Sequence, residues 1–293
     1  WAQMARFTKT GGEAAMVAVR IARAFSGKDK IAFCGYHGWH DWYLSVNLSD
    51  DDNLEGHLLP GLKPRGVPKA LKNTSIPFEY NKIEQLEKII SENEIGAIIM
   101  EPIRHTEPKE NFLEKVREIA NKNKIVLIFD EISSGFRMTL GGIHMKLGVI
   151  PDIAIFGKAL SNGYPMSAVI GKKEIMQVAT EAFISSTYWT DRVGPVAALA
   201  TIKKMKEKNV PKHIDKIGNL IGKEWEKLID KHKLKASVHG PNALITLSFE
   251  YENNNEVITL FTQEMLKRGF LAFPTVYVSF AHTEKYVRKY IHA

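Results

Sequence analysis

The sequence predicts an α/β fold, with a mostly parallel sheet covered by helices and then a smaller α+β unit. Two observations carry this. Short apolar, β-branched runs alternate with amphipathic stretches through most of the chain, the pattern of strand–helix–strand crossovers. From about residue 235 that alternation gives way to shorter strands with helices between them.

The elements follow in order. Residues 14–26 have helical periodicity, with Val17, Ile21, Ala24 and Phe25 on one stripe and Gly27 as the stop. Residues 31–34 (Ile-Ala-Phe-Cys) read as a strand. A polar loop with Pro and Gly spans about 49–78, headed by Asp50, Asp51 and Asp52, which are read as a turn rather than a metal site. Helix 82–93 precedes the apolar strand 95–100, and helix 112–123 precedes strand 125–129, which runs into Asp130. Strand 152–156 leads to Gly157-Lys158, and strand 167–170 leads to helices near 172–181, 194–208 and 212–232. Strand 243–249, helix 256–268, short strands near 270–273 and 276–280, and helix 283–292 complete the chain. The expected division is a large domain over 1–220 and a small C-terminal domain over 221–293.

Composition narrows the function classes. The 293 residues are 44% hydrophobic and 25% charged, enough for one large and one small domain. No run reaches the ~18 apolar residues of a membrane helix, so no membrane role is expected. The start at Trp1 shows no secretory pattern. A single cysteine, Cys34, leaves no disulfide within the chain and fits a reducing, cytoplasmic setting. The net charge of +7 comes largely from lysines mixed with Glu and Asp on helical stretches such as 202–234. These read as solvated helix faces, so no nucleic-acid partner is expected.

Ligands of open α/β sheets bind at the carboxyl ends of strands. Glu101, Asp130 and Lys158 all follow such ends. A lysine amine condenses with an aldehyde to a Schiff base, and a carboxylate keeps a pyridine nitrogen protonated so that the ring draws electrons. From these positions alone another reading stays open, with Asp130 as a helix N-cap and Lys158 as a solvated turn residue. Thr10-Gly11-Gly12-Glu13 opens the first helix. Its glycines let the backbone approach a phosphate, its amides and dipole favour an anion, and Thr10 adds a hydroxyl. Gly35-Tyr36-His37-Gly38 follows strand 31–34. Tyr36 there can stack on a flat ring with His37 beside it, or can simply face solvent in a turn.

Taken together, these motifs resemble the class III (ω-type) aminotransferases, and among them the glutamate-1-semialdehyde 2,1-aminomutase branch. The resemblance runs through Thr10–Lys28, Gly35–Gly38, Phe129-Asp130-Glu131-Ile132 with Gly135-Phe136-Arg137, and Gly157-Lys158-Ala159-Leu160 with Gly163-Tyr164-Pro165. It continues in Thr190, Gly194-Pro195, Leu271–Pro274 and Phe280–Thr283. It implies an aspartate-aminotransferase-type fold (fold type I) and pyridoxal 5'-phosphate as cofactor. It also implies a homodimer with sites at the interface, a segment preceding Trp1, and a small amino or oxo substrate. Lys158 would hold the cofactor and shuttle the proton, and Asp130 would hold the ring nitrogen. Tyr36 and Ile132 would flank the ring. Gly11, Gly12 and Thr190 would bind phosphate, Thr190 that of the partner subunit.

Several residues depart from the family pattern. Gly12 stands where the family usually has Ser or Thr, and Ser133 where many members have Gln. Arg104-His105-Thr106 replaces an Ala-Gly-Asn. The run Trp39-His40-Asp41-Trp42-Tyr43 suggests a substrate other than that of the tetrapyrrole-pathway enzyme. The activity implied is amino-group transfer, either between two substrates or within one. The rival expectation is an inactive family member serving as a scaffold or dimerisation partner.

Overall fold

The protein is described by a computed structural model covering residues 1–50, 53–55, 57, 61–103 and 105–293. The chain divides into two compact units: Trp1–Pro102 with Pro108–Lys203, and Ile103–Glu107 with Lys204–Ala293. The short segment Ile103–Glu107 belongs to the second unit, and the last crossing, at Lys203/Lys204, falls within helix α7.

The first unit runs β1 (Met4–Thr8), α1 (Gly11–Ser26), β2 (Lys30–Cys34), α2 (Asp41–Leu44), β3 (Ser75–Pro77), α3 (Ile83–Glu92) and β4 (Ile95–Met100). It continues with α4 (Phe112–Lys122), β5 (Val126–Asp130), α5 (His144–Leu147), β6 (Ile153–Phe156), β7 (Ser167–Gly171), α6 (Lys173–Met176) and the start of α7 (Val193–Lys208). The sheet order is β1-β7-β6-β5-β4-β2-β3. Strands β2 to β6 are parallel, while β7 runs antiparallel to both β6 and β1. β1 therefore points the same way as the parallel set, and its carboxyl end lies on the same edge.

Every residue of β4 and β5 is buried, as a parallel sheet covered on both faces requires. α1 covers one face. Its Ala14, Val17, Ala18 and Ile21 pack with Ile31, Ile99, Ile128 and Ile155, and the small alanines allow close approach. Leu86 of α3 and Leu113, Val116 and Ala120 of α4 meet Ile98, Leu127 and Phe129 on the other. At the opposite edge of the sheet, Asp152 accepts from Leu127 N at 2.8 Å, Arg117 Nη1 at 3.0 Å and Lys172 Nζ at 2.6 Å. That buried carboxylate ties together the starts of β5 and β6.

The second unit takes the rest of α7, then α8 (Val210–His232), β8 (Ala236–His239), β9 (Leu244–Phe249), α9 (Asn254–Lys267), β10 (Thr275–Tyr277) and α10 (Glu284–His292). Its three strands form an antiparallel sheet in the order β10-β9-β8. α8 packs on β8 and β9, and buries Ile214, Ile217, Ile221 and Trp225.

The α/β architecture is the expected one, and the five strands read in the first unit lie within one residue of β2, β4, β5, β6 and β7. The differences have physical causes. β1 alternates half-buried and exposed residues and carries Arg6, so it lacks the apolar run of its neighbours. β3 hides in the loop read as 49–78, because it is three residues long and ends in Pro77. β8, with its polar alternation, was likewise not anticipated. Residues 270–273 form no strand, and the strand near 276–280 is Thr275–Tyr277. The helix read as 172–181 is α-helical only to Met176 and then tightens to a 3-10 turn. The expected boundary at 220/221 falls inside α8, whose apolar face belongs to the small sheet. Asp51 and Asp52 lie outside the described residues.

Candidate active site

The candidate residues hang from the carboxyl edge of the large sheet: Thr10 after β1, Tyr36 and His37 after β2, Glu101 after β4, Asp130 at the end of β5, and Lys158 after β6. The shared direction of β2, β4, β5 and β6 brings four of these positions to one edge, and β1, antiparallel to β7, brings Thr10 there too.

Asp130 is 3% exposed, and its two oxygens are differently engaged. Oδ1 accepts from the Ile132 amide at 3.0 Å, and Oδ2 lies 2.8 Å from His37 Nδ1. His37 Nε2 lies 3.1 Å from the Cys34 carbonyl oxygen, which can only accept, so that nitrogen carries a hydrogen. Asp130 Oδ2 and the Cys34 carbonyl thus hold the ring from both sides. Cys34 itself is buried, and burial pushes its thiol up, with Glu101 and Glu79 adding to the effect.

Glu131, next to Asp130, plays a different part. It is fully buried and accepts from Ser134 Oγ at 2.6 Å, Ile143 N at 2.8 Å, His144 N at 2.8 Å and His144 Nδ1 at 2.7 Å. Trp1 Nε1 donates to the far nitrogen of His144 at 2.9 Å. With its acceptor sites filled, Glu131 braces the loop after β5 and leaves Asp130 to face the site.

Lys158 is an exposed residue whose amine donates to Ser133 Oγ at 2.8 Å. Lys158 has a φ of +43°, a left-handed conformation costly for a residue with a Cβ and common at functional positions. Ile132 wedges between the two loops. A Cβ on Gly11 would meet Ile132 Cδ1 at 2.7 Å, and one on Gly157 would meet Ile132 Cγ2 at 3.5 Å and Ser167 Oγ at 2.8 Å. Ile132 thus sets the spacing between the start of α1 and the lysine turn.

Thr10 caps α1 in a reciprocal box. Its hydroxyl accepts from Glu13 N at 3.2 Å, and Glu13 Oε2 accepts from Thr10 N at 2.9 Å and Lys9 N at 2.8 Å. Among the described residues, the amides of Gly11 and Gly12 find no acceptor within the protein. They are the free donors that an anion needs. Glu101 is buried and accepts from Tyr36 N at 3.1 Å. A Cβ on Gly35, at φ +106°, would meet that same Glu101 oxygen at 2.6 Å. Glu101 thus shapes the turn that presents Tyr36. Tyr36 itself is half-buried and meets Tyr43 edge-on at 6.2 Å.

Thr190 ends a short 3-10 turn, is exposed, and among the described residues shares no hydrogen bond with the other candidates. Its neighbour Asp191 pairs with Lys9, whose hydrogen bond holds that carboxyl below the usual range. Asp191 also caps α7 through Val193 N at 2.8 Å. Sequence reasoning had not assigned the partner roles of Ser133 and Glu131. The signal for Ser133 was its spacing, three residues past Asp130 on the same loop.

Among the described residues no cluster of His, Cys, Asp and Glu could hold a metal, and no helix is long and apolar enough to cross a membrane. The free amides at Gly11 and Gly12, the Lys158 amine and the buried Asp130 fit a group carrying phosphate, aldehyde and ring nitrogen.

Sheet order and edge chemistry together define a pyridoxal-phosphate enzyme of fold type I. The class III aminotransferase family matches residues 2–282, and the chain belongs to that family. Its members use pyridoxal 5'-phosphate to move amino groups. Among similar proteins, 3-aminobutyryl-CoA aminotransferase of Cloacimonas acidaminovorans is 34% identical, over 97% of this chain and 68% of that protein. Glutamate-1-semialdehyde 2,1-aminomutase of Methanocaldococcus jannaschii is 35% identical, over 88% of this chain and 61% of that protein. The chain thus spans about two thirds of the length of these relatives. Among solved structures, an omega-transaminase from Sphaerobacter thermophilus superposes with a TM-score of 0.87 at 25% identity, over 99% of this chain and 73% of that one.

Proposed function

We propose that this chain moves an amino group between small amino and oxo compounds, with Lys158 as the catalytic amine. The observation that carries the assignment is the Lys158–Ser133 contact of 2.8 Å beside the strand that ends in Asp130. When bound, pyridoxal phosphate supplies an aldehyde that captures amines and a ring that takes up electrons.

In this reading Lys158 would take the proton from the substrate carbon and return it, and the Ser133 hydroxyl would aim the amine during the part of the cycle in which it is free of the cofactor. Asp130 accepts from the ring nitrogen, with His37 holding the carboxylate. Tyr36 and Ile132 flank the ring. Gly11, Gly12 and Thr10 receive phosphate at the start of α1, and Glu101 fixes the turn carrying Tyr36.

Thr190 is proposed to reach the phosphate of a partner subunit in a homodimer. Its exposure supports this, as do the exposed apolar side chains around it: Phe183, Tyr188, Val193, Val196 and Leu199. A cytoplasmic setting is supported by the single, buried, unpaired Cys34.

Lys158→Ala should abolish turnover and the visible absorbance that the cofactor acquires on the wild-type protein. Activity retained by that variant would overturn the assignment. Incubation with glutamate semialdehyde, with and without a 2-oxo acid, separates transfer within one substrate from transfer between two. Strict dependence on the oxo acid identifies the two-substrate reaction.

A further inference from the structure

The inference concerns residue 40 and rests on the proposed cofactor site. Gly12 belongs to the first turn of α1, and the space its side chain would fill is taken. A Cβ there would come within 3.0 Å of both Cε1 and Nδ1 of His40. Gly38, at φ +99°, brings the loop after β2 so close that a Cβ on it would lie 3.0 Å from the Gly12 Cα. Two glycines facing each other therefore admit one imidazole against the start of α1.

The imidazole packs against its chain neighbour. Trp39 stacks on it at 4.9 Å between ring centres, with the planes 21° apart. His40 stands at the N-cap of α2, but its side chain makes no capping hydrogen bond. Its backbone carbonyl accepts from Tyr43 N at 2.9 Å and Leu44 N at 3.2 Å. Its Nδ1 is buried and, among the described residues, has no hydrogen-bond partner. A buried ring nitrogen left without a partner is costly and asks for an explanation. This one sits against the residue whose own amide is free.

We propose that His40 is a cofactor-binding residue that donates from Nδ1 to the phosphate bound at Gly11 and Gly12. It supplies the side-chain donor that Gly12 cannot. Gly12 and His40 then form one unit: the glycine makes room, and the imidazole fills that room with a hydrogen-bond donor.

The test measures equilibrium binding of two probes, pyridoxal phosphate and pyridoxal, to wild type, His40→Ala, Gly12→Ser and Gly12→Ser/His40→Ala. Loss of a hydrogen bond to a charged group should weaken pyridoxal phosphate binding by His40→Ala about tenfold or more. Pyridoxal, which lacks the phosphate, should bind His40→Ala as it binds wild type. Gly12→Ser alone should weaken the phosphate ester, because its Cβ meets the imidazole. The double variant should recover much of the loss, since the serine hydroxyl then has the space. Equal weakening of both probes by His40→Ala, no weakening, or additive losses in the double variant would each overturn the proposal. Wild type failing to bind pyridoxal phosphate would instead overturn the reading of the site itself.

Discussion

His37 and Asp130 meet at 2.8 Å with both side chains closed off from solvent, and the outer nitrogen of His37 is spent on the Cys34 carbonyl. The carboxylate that faces the site is thus fixed from behind by a ring that is itself fixed from behind. His37→Ala should lower the unfolding free energy of the cofactor-free protein by about 3–5 kcal/mol, the usual cost of leaving a buried charge without its partner. In urea titrations, His37→Ala/Asp130→Ala should lose clearly less than the sum of the single variants. Additive losses would show that the pair is not coupled.

Ser133 should matter for rate rather than for folding. Ser133→Ala removes the acceptor of the Lys158 amine, worth about 1 kcal/mol. We expect kcat to fall by up to about tenfold, the pH–rate profile to move, and the melting temperature to stay within about a degree or two. An unchanged pH–rate profile would mean that the contact has no part in turnover.

Glu131→Gln should do the reverse of any active-site change. The amide cannot accept on its nitrogen side, so at least one of the donors at Ser134, Ile143 and His144 is stranded in a buried place. A loss of about 2–4 kcal/mol in stability is expected. Residual folded protein should keep near wild-type cofactor affinity. A selective loss of cofactor binding would place Glu131 in the site.

Gly11→Ala should destabilise by about 1–3 kcal/mol, because its methyl meets Ile132 at 2.7 Å. Ile132→Val should relieve part of that cost in the double variant. If thermal unfolding shows no relief, the methyl is accommodated elsewhere.

Acid should loosen the turn before Tyr36. His57 Nδ1 accepts from Gly35 N at 3.1 Å, and burial and the nearby His37 lower its pKa below the ordinary histidine value. Above about pH 6.5 the ring is neutral in folded and unfolded chains alike, and its contribution is intact. As pH falls below that, the unfolded chain takes the proton first, so stability drops toward acid. His57→Gln should make the decline in denaturation midpoint between about pH 7 and 5 shallower than in wild type.

What the sequence made legible follows from how strongly each feature is written locally. The parallel strands announce themselves because β4 and β5 must be apolar on both faces. The strand ends then place Tyr36, Glu101, Asp130 and Lys158 on one edge without any long-range contact being known, while Thr10 joins them through β1. Features set by contacts far apart in sequence were silent. Glu131 looks like a second active-site acid until His144 and Ile143 close on it. His40 looks like a loop residue until Gly12 is seen to make space for it. β1 was unreadable because an outer strand with an alternating face resembles any polar segment.

The left-handed backbone at residue 158 has a consequence for descent. The backbone of that turn does not favour lysine: its amine reaches Ser133 Oγ, but its φ of +43° suits glycine or asparagine better. In the proposed reading, use of the amine keeps lysine there. In a duplicated copy released from catalysis, drift should carry this position to glycine or asparagine early, before the buried strands show any change. Residue 158 therefore serves as a clock for lost activity among related chains.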